Sequence, residues 1–386
     1  ASNTIIASVR IVLNNISALY ITFGMLITAF LTYLTLSKYG SIVLGKENEF
    51  STISWLTMMI SAGVGPSIIY GALIDWVDIA ANMTTDGGLP IAQAVSYGFI
   101  HWGPIVWGIS ISLAVPFAIT LHIKRNSRIE FSGLITDSRN SKHSNTIDNF
   151  ILFSILCGGS TTLILGVLLI STCASEFYQI NNSAEVKTLS LIFVTSIFSL
   201  SSIVGLKKGM ARLSKVSICA AFLLLFCIIL SSPEGNILSN MFHITKVTFS
   251  NTLLFIKHLN PMAPAEVTLS WTTFYWAWWI LYAPFTSIFI AKISAGRTVR
   301  QMIIGATICS SLGCGVFYLV FGGLALEIHQ DPNMNIATLG ISAPEAIISH
   351  IVSALPSSKI WFLLIAICSS ALLVTTFDAM SFSLAS

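Results

Sequence analysis

Apolar runs long enough to cross a lipid bilayer follow one another along almost all 386 residues of this chain. That succession constrains its fold more than any other feature. A hydrocarbon core about 30 Å thick needs roughly twenty apolar residues in helical form. Such runs are read at 16–36, 52–76, 91–121, 148–172, 187–206, 216–232, 268–294, 301–326 and 358–384. Within lipid each backbone amide and carbonyl must be satisfied internally, so helices are expected and open sheets are not. Composition agrees, with 54% hydrophobic and 9% charged residues, against roughly a quarter charged in soluble domains. The expected fold class is an all-α polytopic membrane protein, a single bundle domain over residues 1–386.

Several function classes are excluded by what the chain lacks. The net charge is only +3, and the basic residues are sorted by side rather than pooled, so no nucleic-acid surface is expected. The seven cysteines sit within or at the ends of apolar runs without CxxC spacing. They read as small buried hydrophobes rather than a disulfide frame or metal site. The carboxylates nearest the span interiors are Asp75, Asp78 and Asp378. No His/Glu metal pattern and no Ser–Lys or Cys–His pair at usable spacing accompanies them, so neither an enzyme nor a cofactor is expected.

Orientation follows from the basic residues. If the run at 16–36 passes from outside to inside, fourteen of the nineteen Lys and Arg fall in inner loops, at 38–46, 124–142, 207–215 and 292–300. Arg10, Lys187, Lys246, Lys257 and Lys359 lie on the other side. This bias fits the positive-inside rule and puts the N-terminus outside. An outer N-terminus without a signal peptide or initiating Met leads to the expectation of a fragment missing at least one preceding helix. Residues 235–262 and 342–355 mix apolar and polar residues and read as amphipathic helices along the outer interface, with Pro344 at a helix start. The alternative for both is packed loop.

The most specific stretch is Trp271-Thr-Thr-Phe-Tyr-Trp-Ala-Trp-Trp-Ile-Leu-Tyr-Ala-Pro284. Trp271, Tyr275, Trp278 and Tyr282 recur at helical spacing and form one stripe, with Trp276 and Trp279 beside it. Membrane helices usually carry Trp and Tyr at headgroup level. Here Trp278 and Trp279 lie at least about 15 Å from either end of the run. Aromatic faces at that depth suit a cation without hydrogen-bond donors, because the ring quadrupole attracts it directly. The stripe therefore reads as a quaternary-ammonium site.

Two interruptions support that reading. Ser61-Ala-Gly-Val-Gly-Pro-Ser67 puts two glycines and a proline inside a span, at a cost of several kcal/mol in a continuous helix. Broken membrane helices mark substrate and ion sites in secondary transporters; the alternative is a close helix–helix contact through glycine. In Ile100-His-Trp-Gly-Pro-Ile-Val-Trp107 a proline lies between two interior tryptophans. A kink at Pro104 would turn Trp102 and Trp107 toward one cavity, whereas packing is the commoner role of single buried tryptophans. His101 reads as a hydrogen-bonded interior histidine rather than a proton carrier.

With these residues in view, the chain resembles the betaine/choline/carnitine transporters. The resemblance covers almost the whole chain. It is carried by Ser37-Lys-Tyr-Gly, Phe50-Ser…Ser54-Trp, Ala62-Gly-Val-Gly65, His101-Trp-Gly, Gly205-Leu-Lys-Lys-Gly, the Trp-rich segment, Gly296-Arg-Thr-Val-Arg300, Phe321-Gly-Gly and Val374-Thr-Thr-Phe-Asp378. It implies a leucine-transporter-type inverted-repeat bundle that here lacks the first and the last two helices. It implies transport of an onium compound such as choline, betaine or carnitine across a bacterial inner (plasma) membrane by alternating access. Trimers occur in the family, and the two amphipathic helices are their expected contacts.

By the same resemblance the substrate site holds Trp102, Trp107, Trp278, Trp279 and the break residues Ala62, Gly63 and Gly65. Ser110 stands where the family commonly has Tyr, and Tyr282 where it commonly has Trp. Asp75-Trp76 replaces the usual Glu-Pro, and Ser67 the third glycine of the break. A sodium site is implied at the carbonyls of Ser61, Val64 and Leu372 and the hydroxyls of Thr375 and Thr376. Neutral oxygen ligands suit such a hard ion, although Ser and Thr in membrane helices usually bond back to their own helix. Sodium-independent members place an arginine in this site, and the run 150–186 contains no Lys or Arg. Sodium-independent exchange, proton coupling (with Asp378 as carrier) and a transport-dead osmosensor stand as alternatives, as does an unrelated amino-acid transporter of the same fold.

Overall fold

The computed structural model describes residues 19, 22–82, 90–125, 130–135, 142–204, 206–232, 236–250, 267–329 and 344–384. Its helices, in chain order, begin with α1 (Thr22–Leu36), α2 (Thr52–Gly63), α3 (Pro66–Asn82), α4 (Ile91–Ser96) and α5 (Gly98–His101). They continue with α6 (Pro104–Ala118), α7 (Ser132–Ile135), α8 (Lys142–Tyr178), α9 (Ala184–Val204) and α10 (Leu206–Ser231). The last are α11 (Asn236–Ser250), α12 (Val267–Ile293), α13 (Val299–His329), α14 (Pro344–Ser353) and α15 (Ser358–Leu384). Seven described stretches are long and apolar enough to cross a membrane, or eight with the bent pair α2–α3. The remaining expected span, 16–36, is described only from Thr22 apart from Leu19 and is a shorter apolar helix.

The two interrupted spans share one device. Between α2 and α3 the chain bends by 48°, with Val64 at φ −92° and ψ 81° and Pro66 opening α3. A proline at a helix start loses nothing by lacking an N–H. Between α5 and α6 the break falls at Trp102 and Gly103, and Pro104 again opens the following helix. The expected kink at Pro104 is therefore a full stop and restart. Gly103 is what permits it: a Cβ there would stand 1.9 Å from the carbonyl oxygen of Phe99.

Helix α12 packs along α6, α15 along α8 and α10, and α13 along α11 and α2. One end of the bundle gathers basic residues. There Arg297, buried between α12 and α13, donates to the Phe50 carbonyl at 3.1 Å and to Thr52 Oγ1 at 3.2 Å. Its guanidinium lies 4.8 Å from the centre of the Trp55 ring. Gly296, at φ +74°, turns the chain so that Val43 and Thr298 form a short antiparallel bridge. Arg300 Nε donates to the Thr35 carbonyl at 2.7 Å. This basic end thus ties α1, α2, α12 and α13 together.

At the opposite end, Lys187 of α9 and Glu345 of α14 form an ion pair at 2.8 Å. The hydrogen bond from Lys187 holds the Glu345 carboxyl below the usual carboxylate range. The helix expected in 235–262 is present as Asn236–Ser250, and 251–262 lies outside the described residues. It docks through Asn240, which donates to the Gly323 carbonyl at 3.0 Å, and Thr248, which donates to Ser96 Oγ at 2.8 Å. Helix α14 buries Ile347, Ile348, Ile351 and Val352. The seven cysteines are free thiols, but not all are buried as expected: Cys219 is exposed on α10.

Candidate functional site: an aromatic cage beside a broken helix

Helices α12 and α6 run against each other, and their tryptophans interlock where α5 stops. The Trp102 ring meets Trp278 and Trp279 edge-on, each with centroids 5.5 Å apart. Trp278 and Trp279 each approach Tyr282, at 5.8 and 6.0 Å. Gly65 of the break and Ser67 in the first turn of α3 complete the lining with Trp102, Trp278, Trp279 and Tyr282. A ring of π faces therefore stands against opened backbone, deep inside the bundle.

Hydrogen bonds fix the two central indoles. Trp278 Nε1 donates to the Gly158 carbonyl of α8 at 3.2 Å, and Trp279 Nε1 to the His101 carbonyl at 2.9 Å. The second bond uses a carbonyl at the end of α5, which helix termination leaves without an intrahelical partner. The enclosed space is about 10 Å³, room for about one water. A trimethylammonium group enters only when the rings move apart.

Not every expected cage residue lines this space. Trp107 is fully buried behind it, its ring edge-on to Trp279 at 4.6 Å. Ser110 accepts a hydrogen bond from Thr286 Oγ1 at 2.7 Å, tying α6 to α12 behind the cage. Ala62 and Gly63 lie in the last turn of α2, just before the break. Ser67, noted in the sequence only as a departure from a glycine pattern, contributes to the lining. Gly158 had no signal at all, because a carbonyl acceptor carries no side-chain signature.

The candidate ion site is partly assembled. A Cβ on Gly65 would stand 3.3 Å from Thr376 Oγ1, so α15 and the break adjoin each other. Thr375 and Thr376 both donate to the Leu372 carbonyl, at 2.8 and 2.9 Å. Their hydroxyl lone pairs are not consumed by donating. Ser61 Oγ bonds within its own helix to the Met58 carbonyl and across to Ser214 Oγ of α10, at 3.1 and 3.2 Å. Asp378, buried further along α15, accepts from Ser201 Oγ at 2.6 Å. Arg297 is buried, and it sits at the basic end in the Phe50–Thr52 clasp.

A model of the BCCT family, the betaine/carnitine/choline family transporters, matches residues 1–386. The chain belongs to this family. Its relatives include a carnitine transporter of Acinetobacter baumannii, 28% identical over 351 residues, which are 88% of this chain and 63% of that protein. The glycine betaine transporter OpuD of Bacillus subtilis is 29% identical over 377 residues, 95% of this chain and 73% of its own length. The osmo-independent choline transporter BetT1 of Acinetobacter baylyi is 28% identical over 351 residues, 87% and 66% of the two chains. The chain thus spans about two thirds of the length of these relatives. BCCT proteins are transporters, not enzymes, and the all-α polytopic architecture expected from the sequence is the one found.

Proposed function

We propose that this BCCT protein is a secondary active transporter of a quaternary-ammonium or dimethylsulfonium compound, working by alternating access and driven by sodium. The observation that carries the reading is the cage of Trp102, Trp278, Trp279 and Tyr282 against the broken helix. Such a cage recognises a cation that offers no hydrogen bonds, because attraction to ring faces needs none. Relatives named for carnitine, glycine betaine and choline share that substrate chemistry. The basic end is assigned to the cytoplasm by the positive-inside rule. Sodium is supported by the neutral oxygens gathered between the break and α15, a donor set that fits a hard monovalent ion.

A second reading, sodium-independent exchange, draws on a specific observation: both threonine hydroxyls already bond to Leu372 of their own helix. Uptake into proteoliposomes of choline, betaine, carnitine and dimethylsulfoniopropionate, with and without a sodium gradient, separates the two. Sodium-dependent uptake of at least one is the expected outcome. Uptake that ignores sodium would leave exchange or proton coupling, and no binding of any onium compound would remove the cage reading itself.

A further inference from the structure

One buried carboxylate takes no part in the cage or the ion site. Asp75 lies in α3 at 2% exposure, nine residues beyond Pro66 and so about 13 Å along the helix from the break. A carboxylate inside a membrane span is costly unless strong donors hold it. Tyr275 of α12 and Tyr318 of α13 both donate their hydroxyls to its Oδ2, at 2.5 and 2.6 Å. The three oxygens converge over Gly71, where an added Cβ would stand 2.9 Å from each. The Tyr318 ring is in turn seated on Gly98, where a Cβ would fall 2.1 Å from its Cδ1. Two glycines thus clear the space for this cluster.

Tyr275 joins the cluster to the cage. Its ring stacks on His101 at 4.7 Å and meets Trp102 and Trp278 at 5.7 and 6.0 Å. It stands one helical turn from Trp278, on the side away from the basic end. Beyond it lies a second cavity of about 170 Å³, lined by Tyr70, Asp75, Trp271 and Tyr275 together with Pro344 and Ile347 of α14. Tyr275, packed behind Trp102 and Trp278, therefore backs the wall between the cage and an antechamber that faces the opposite end of the bundle.

We propose that Asp75, Tyr275 and Tyr318 form a latch that holds this wall closed, so that the cage opens to the antechamber only when Tyr275 leaves Asp75. The inference rests on the transporter reading of the cage. Two donors make such a latch workable: when Tyr275 swings away, Tyr318 still holds the carboxylate, and the charge is not stranded in the bundle. Hydrogen bonds to an ionised group are also roughly twice as strong as neutral ones, which keeps the closed position well populated. Asp75 is on this account a positioning residue that acts on the cage through Tyr275.

The test uses Ser67→Cys as a thiol inside the cage, in proteoliposomes, with Ser67 protein as the control for native cysteines. The probe is a membrane-impermeant thiosulfonate bearing a trimethylammonium group, added to one face at a time. Tyr275→Phe and Asp75→Asn preserve size; the phenylalanine keeps the ring but loses the hydroxyl that reaches Asp75, and the asparagine keeps a carbonyl where the shared oxygen stood but loses its charge. Both are expected to raise the modification rate from the antechamber face about tenfold, with no rise from the basic face. Gly71→Ala, which crowds all three oxygens, should do the same. Unchanged rates in Tyr275→Phe and Asp75→Asn, or equal rises from both faces, would overturn the latch. Onium binding is measured in parallel: its absence from the native protein defeats the transporter reading, whereas intact binding with unmoved labelling defeats the latch alone.

Discussion

Trp278 shows how a single side chain carries both structure and recognition. Its ring lines the cage while its N–H is anchored on Gly158 of α8. Trp278→Leu removes one π face, worth about 0.5–2 kcal/mol for a cation. Choline affinity, measured by calorimetry on the purified protein, should therefore fall by about 2- to 30-fold while the helical circular dichroism is retained. The threonine pair makes an opposed prediction possible. If Thr375 and Thr376 ligate sodium, replacing both by alanine should raise the sodium concentration for half-maximal uptake by tenfold or more, with onium binding preserved at saturating sodium. If their only partner is the Leu372 carbonyl, the double variant should couple normally, since a hydroxyl bonded back to its helix contributes little.

Among the elements, the breaks decide where side chains converge. The restart at Pro104 depends on Gly103, because any Cβ there would collide with the Phe99 carbonyl. Gly103→Ala is expected to cost about 1–3 kcal/mol by overpacking, seen as a lower unfolding temperature together with weaker onium binding, since the Trp279 anchor on His101 shifts too. Arg297 plays the corresponding part at the basic end, where its planar group reaches Phe50 and Thr52 while lying over Trp55. A lysine supplies charge without that fork. Arg297→Lys should lower thermal stability, and the ring contact makes Trp55 fluorescence a direct readout.

For the whole molecule, the distribution of charge sets the orientation. Single cysteines at Gly133, in the segment between α6 and α8, and at Phe249, on the exposed face of α11, should react from opposite sides. With the basic end in the cytoplasm, an impermeant reagent outside intact cells is expected to label position 249 and spare 133. The reverse pattern would invert the assignment of the antechamber as the outer vestibule.

Much of this molecule is legible in its sequence because the bilayer imposes so few solutions. Runs of apolar residues had to be helices, and the Trp-rich segment had to lie deep in one of them, since length and hydrophobicity are local properties. The glycine–proline interruptions were equally visible, although the one at Pro104 read as a kink rather than as the start of a new helix. Only the tertiary structure decided which aromatic faces meet. Trp107 and Ser110 lie in α6, which packs along the cage helix α12, yet they fall behind the cage, because the rotation of α6 against α12 is set by packing that no spacing rule encodes. The Asp75–Tyr275–Tyr318 cluster was hidden for a related reason. Its members are 200 and 243 positions apart, and the room that lets their oxygens meet comes from two glycines whose missing side chains leave no mark of their purpose in the sequence.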